Sequence, residues 1–234
     1  MEPTKEVALD KNAIAKNSTT RDIAVTAPST GAFSSEDFVI PRIQLIQKMS
    51  KKAGKDAQYG ELRDNLNNKL MGSMEKSMEF IPIHGDKKWI VSERDEKGRY
   101  QWKSTDVWEG PREFYSEDKK IKNMLSLEFY VLIPEEIEKG EDMPYIISFQ
   151  STSSKAGKKL ATQMYMRNLR GGKPVYAAAL NLSVNEETTD DNSYGVMDVS
   201  VSREVSKKEI AACENWVGVV TKNNTPAQEE VVPF

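Results

Sequence analysis

The fold is constrained most by a rhythm of short apolar runs broken by turn residues. From residue 78 onward the runs are MEFIPI, KKWIVSE, RYQWKSTD, KNMLSLEFYVLIP, MPYIISFQS, VYAAALNLSVNEE and YGVMDVSVSRE. Each is rich in Ile, Val, Phe, Tyr or Trp and is bounded by Gly, Pro, Asn, Asp or Ser, the pattern of strands joined by short connections. NLNNKLMG reads as a turn, Glu93–Gly98 as a hairpin loop, and EEIEKGED and ETTDDNS as acidic loops. His84, followed by Gly85 and Asp86, reads as a turn residue at a strand end. Helices do not alternate with these strands, so a βαβ fold is not expected.

Two stretches carry helical signals. In STSSKAGKKLATQMYMRNLRGGKP, Ser153 or Ser154 can cap a helix that buries Leu160, Met164 and Tyr165 and stops at Gly171 and Gly172. In SKKEIAACENWVGVVTK, Ser206 and Glu209 form a capping-box pattern, with Ile210, Ala211, Trp216 and Val217 expected to pack. The sum is a mainly β fold with accessory helices (α+β), expected as an OB-fold-like Greek-key barrel.

Ordered structure should begin near FVIPRIQLIQ, because residues 1–36 hold too few large apolar side chains to offset chain entropy. The expected organisation is a disordered arm at 1–36, an OB-like domain at 37–222 and a flexible acidic tail at 223–234. The single cysteine, Cys213, and the single histidine, His84, exclude an internal disulfide and a Cys/His zinc cluster. No apolar run reaches the length of a membrane span, and a cytoplasmic location in a bacterial host cell is expected. No cofactor or metal is called for.

Signatures of catalysis are sparse. No phosphate-binding Gly-rich loop and no nucleophile elbow are present. Acidic clusters at 135–142 and 186–191 could serve a metal-dependent nuclease, but their Gly, Asn and Thr neighbours suit solvated loops.

Bases and aromatics are more informative. The net charge is −3, so any polyanion affinity must come from local patches. One basic stretch holds Lys48, Lys51, Lys52 and Lys55. A second holds Lys155, Lys158, Lys159, Arg167, Arg170 and Lys173 with no acid between Ser154 and Pro174. Lys87 and Lys88 precede Trp89. Arg99, Tyr100, Trp102 and Lys103 share a hairpin, and Trp108 and Arg112 follow it. Strand alternation puts Tyr100, Trp102 and Ser104 on one face. Rings that stack on unpaired bases, beside cations that track phosphates, are how single strands are bound. Trp89, between apolar neighbours, reads as core.

The chain closes with Glu229, Glu230, Val231, Val232, Pro233 and Phe234. This tip resembles that of bacterial single-stranded DNA-binding proteins, in which acids precede an apolar residue, Pro and a terminal Phe. The resemblance implies that Val232, Pro233 and Phe234 enter a pocket on a replication or repair protein while the glutamates meet its basic rim. A second resemblance covers about residues 38–200. Pro41-Arg42, Leu45, Gln47, Met71-Gly72, Glu79-Phe80-Ile81-Pro82 and Ser154, Lys155, Lys158, Lys159, Leu160 are similar to a family of phage-encoded single-stranded DNA-binding proteins, with Met71 where that family has Leu. It implies a non-catalytic protein that binds single-stranded DNA without sequence preference in phage DNA replication, recombination or repair. The rival expectations are a small metal-dependent nuclease and a protein that inhibits a host defence complex.

Overall fold

In a computed structural model of the chain, the structure describes residues 39–50, 52–96, 100–105, 113–117, 121–189 and 192–223. Those from Ile40 onward belong to one compact unit. The arm expected at 1–36 and residues 224–234 of the expected tail lie outside the described residues.

The elements are β1 (Arg42–Leu45), β2 (Leu62–Asp64), β3 (Leu70–Gly72), β4 (Met78–Arg94), β5 (Tyr100–Thr105), β6 (Glu113–Tyr115) and β7 (Ile121–Leu132). They continue as α1 (Pro134–Lys139), β8 (Tyr145–Phe149), α2 (Ser154–Gly171), β9 (Ala178–Thr188), β10 (Ser193–Glu204) and α3 (Lys207–Asn223). One curled sheet runs in the order β10-β9-β4-β7-β8-β1-β2-β3, with β5 added to β4 and β6 to β7. All its neighbours are antiparallel except β1 and β8.

Strand alternation builds two cores. Phe80, Phe129, Val131, Ile147, Phe149, Leu180 and Leu182 share the inner face and pack against Leu160 and Met164 of α2. The residues between them, Ile81, Tyr130, Leu132, Ile146 and Ala179, share the outer face with Ile137 of α1 and Ala212, Cys213 and Val220 of α3. The sheet is therefore covered on both sides, as its near-continuous apolar strands require. Burial pushes the Cys213 thiol up to about 12, so it is held as a neutral core group.

Several expectations change. MEFIPI and KKWIVSE form one strand, β4, and His84 lies within it next to a bulge between Pro82 and His84. The strand continues because β7 pairs along its length, and because Gly85 leaves room for the Phe129 ring, 2.8 Å from where a Cβ would stand. Pro82 is tolerated because β9 pairs only as far as Phe80 and β5 begins at Ile90, so that among the described residues no strand pairs with that edge of β4 between them. The acidic loop EEIEKGED contains α1, opened by Pro134 and ended by Gly140 at φ 80°. Tyr165 and Ala211 are exposed rather than packed, and Trp89 is half-buried in neither core. The Ser206–Glu209 capping box forms as read, with Ser206 N–H donating to Glu209 at 2.6 Å and Glu209 N–H to Ser206 Oγ at 3.3 Å.

Candidate nucleic-acid interface

β1 and β8 pair at only two positions, Arg42↔Ile146 and Ile43↔Ile147, and then part. A cleft of about 680 Å3 opens between them, walled by Gln44 and Gln47 on one side and by Ser148 and Gln150 to Ser153 on the other. Among the described residues, Arg42 and Lys52 are the cations on its lining, and no carboxylate lines it. The second wall runs through the 3-10 turn Ser151–Ser153 directly into α2. Ser151 stands at φ 45°, a backbone region that side chains seldom adopt.

Arg42 is held from below. Its guanidinium donates to both oxygens of Glu128, at 2.6 and 3.3 Å, and to Ser148 Oγ at 3.0 Å. Lys88 adds an ion pair with Glu128 at 3.4 Å. Glu128 is only 3% exposed. Burial pushes its carboxyl up, but the Arg42 hydrogen bond and the charges of Arg42 and Lys88 outweigh this and hold it below the usual carboxylate range. Arg42 thus arrives at the cleft with its guanidinium already held by a carboxylate that it shares with Lys88.

α2 follows the cleft. Its 18 residues carry no acid. Ala156, Leu160 and Met164 face the inner core, which turns Lys155, Lys158 and Arg170 to solvent, with Arg167 half-buried. These four make no ion pair or hydrogen bond with another side chain among the described residues. Tyr165 (63% exposed) and Leu169 (61%) share this outer side. Lys155 is near enough to Asp198 for its charge to help hold that carboxyl down, whereas Lys158, Arg167 and Arg170 have no such partner among the described residues.

Other expected cations are engaged within the chain. Lys48 pairs with Glu186 at 3.3 Å, donates to Ser193 Oγ and lies 4.8 Å from the centre of the Tyr59 ring. Lys159 pairs with Asp198 at 3.0 Å and Lys173 with Glu204 at 3.2 Å. The acids expected in solvated loops are therefore partly counter-ions: Glu135 meets Lys139, Glu138 meets Lys208, and buried Glu136 accepts from Lys69 and from the Tyr145 hydroxyl. Lys55 and Lys87 are exposed.

Lys51, Arg99, Trp108, Arg112 and the tip at 229–234 lie outside the described residues, and Tyr100, Trp102 and Lys103 are described by backbone alone. Their hairpin forms, with Arg94↔Tyr100 and Ser92↔Trp102. The register shifts between Val91 and Ser92, where Val91 pairs with Ser104.

Sequence reading missed Gln44, Ser151 and Thr152 as residues that line this cleft. The signal was present in the glutamines of IQLIQ and in QSTSS, two stretches brought together only by a parallel pairing that sequence does not reveal.

These features define a β-sheet protein with an acid-free cleft leading onto a cationic helix. The chain belongs to the Pam3 phage gp34-like family, whose model matches residues 11–225. It is therefore a phage protein, and the family's description names no ligand or activity. No curated protein and no solved structure matches the chain. Among the described residues, no helix is long and apolar enough to cross a membrane, and no group of three or more His, Cys, Asp or Glu could hold a metal.

Proposed function

We propose that this protein binds single-stranded DNA without sequence preference, as a non-catalytic factor in phage replication, recombination or repair. The observation that carries the reading is the charge segregation around α2. The acid-free cleft leads into a helix whose solvent side holds Lys155 and Lys158 beside exposed Tyr165, with Arg170 exposed and Arg167 half-buried near its end. Cations of this kind release condensed counter-ions when they meet phosphates, and an exposed ring can stack on an unpaired base. A curled, mainly β sheet is compatible with the OB-like barrel on which such binding is common. The protein would act in the cytoplasm of the host bacterium. Its tip, Glu229 to Phe234, would serve as a ligand for replication or repair proteins.

The test is a titration with oligothymidylate, followed by tryptophan fluorescence at two salt concentrations. Binding should weaken steeply with salt and be equal for mixed sequences of the same length. Magnesium-dependent shortening of the strand would instead favour the nuclease reading. Absence of any salt-sensitive signal would remove the proposal. Deleting residues 223–234 should leave strand affinity unchanged or higher at low salt and abolish capture of partner proteins. Retained capture would sink the role given to the tip.

A further inference from the structure

Among the described residues, the cleft between β1 and β8 is lined by no acid, yet it is poor in usable charge. Arg42 is committed to Glu128, so Lys52, 3.5 Å from Asn68 Oδ1, is the cation left at the lining. Ile43, Ile46 and Met197 give the cleft an apolar base. Gln44, Ser151 and Thr152 are exposed and make no side-chain hydrogen bond among the described residues. A phosphate is best held by several charged donors, which this cleft lacks. A nucleobase needs apolar contact for its faces and amides or hydroxyls for its edge, and the cleft offers both. Its volume falls within the range of small-ligand pockets.

We infer that the cleft takes one unstacked nucleobase of a bound strand. The ring lies over Ile43, Ile46 and Met197, the base edge meets Gln44, Ser151 and Thr152, and the adjoining phosphate sits at Lys52. The strand then continues over α2. The left-handed Ser151 belongs to this arrangement, since it sets the Ser-Thr pair at the wall where the base edge arrives. This inference rests on the nucleic-acid reading, and the two can fail separately.

The experiment uses the full chain and the shortest oligothymidylate that binds, found by a length series so that its register is fixed. A single abasic position is then walked along it, and affinity is read by fluorescence anisotropy. One position should cost about fivefold or more, the least expected for a held base. In the double variant Gln44→Ala/Thr152→Val, that cost should fall to within about twofold while the other positions keep theirs. Both residues are exposed, so an unchanged melting curve is expected. Free thymidine monophosphate should compete only weakly, since it lacks the strand's contacts with α2. Equal costs at every position, with no effect of the double variant, would overturn the base pocket and leave strand binding standing. Saturable binding of the monophosphate without strand binding, or no binding of either, would overturn both.

Discussion

Glu209 is 2% exposed and still charged. Its carboxylate accepts two hydrogen bonds from Arg203, at 2.6 and 2.9 Å, and one from Ser206 N–H at 2.6 Å, and Arg203 reaches on to Glu79 at 2.9 Å. The Arg203 hydrogen bond outweighs burial and holds the Glu209 carboxyl down at about 2. A carboxyl depressed on folding stabilises the fold above its unfolded value and loses that contribution as pH falls through the folded one. Stability should therefore drop between about pH 4.5 and pH 2. Glu209→Gln should cost about 1–3 kcal/mol near neutrality, because it leaves Arg203 short of a partner and weakens the cap. Denaturant titrations of both proteins should converge as the pH approaches 2, where Glu209 is itself protonated. A difference that stays constant down to that pH would show that the charge does not matter.

At the scale of elements, the seat of α2 pits two effects against each other. A Cβ at Gly157 would stand 2.7 Å from Phe149 Cβ and 3.1 Å from Leu127 Cδ1. Helix propensity alone makes Gly157→Ala favourable by about 1 kcal/mol. Overpacking of helix against strand costs about 1–3 kcal/mol, and a clash with a β-carbon cannot be relieved by turning a side chain. The variant should therefore melt lower than the parent, and a higher melting temperature would mean that α2 can shift. Much of this element was legible in the sequence. Leu160 and Met164 gave its buried side, Gly171 and Gly172 its end, and the Ser206–Glu209 box the start of α3. What was not legible depended on distant partners. His-Gly-Asp looks like a turn until β7 pairs beside it, and EEIEKG looks like a loop until Ile137 finds the outer core. The cations of the site were visible, but not which were already taken: Lys48, Lys159 and Lys173 meet acids more than 30 residues away.

For the whole molecule, the question is how a curled sheet brings β10, at one end of its strand order, back against β1. β10 is an edge strand, and an open edge invites pairing with other chains. Here Gln47, just beyond β1, acts as a short piece of strand. Its Nε2 donates to the Gly195 carbonyl at 2.8 Å and its Oε1 accepts from Gly195 N–H at 2.9 Å. Ser153 Oγ accepts from Met197 N–H two residues on, at 3.2 Å. Gly195 permits the approach, since a Cβ there would meet Leu45 Cδ2 at 3.3 Å and Val184 Cγ1 at 3.4 Å. This closure ties β1 to β10 and so fixes the width of the cleft, which Gln47 and Met197 both line. It also gives the Leu45 and Gln47 of the PRIQLIQ stretch a structural reason. At neutral pH an amide both donates and accepts at this spacing and a carboxylate can only accept, so Gln47→Glu should distinguish closure from general polarity. As a carboxylate, the new side chain still accepts from Gly195 N–H but sets its second oxygen against the Gly195 carbonyl. Stability at pH 7 should fall by about 1–3 kcal/mol, the cost of a buried polar group left without a partner. That repulsion raises the carboxyl's folded value above its unfolded one, so the loss should shrink as pH falls through the raised value toward about pH 4, where a protonated acid donates to the carbonyl again. Denaturant unfolding at the two pH values, referenced to the parent protein, reads this directly. An equal loss at both would mean that the bond to the carbonyl does not hold the sheet closed.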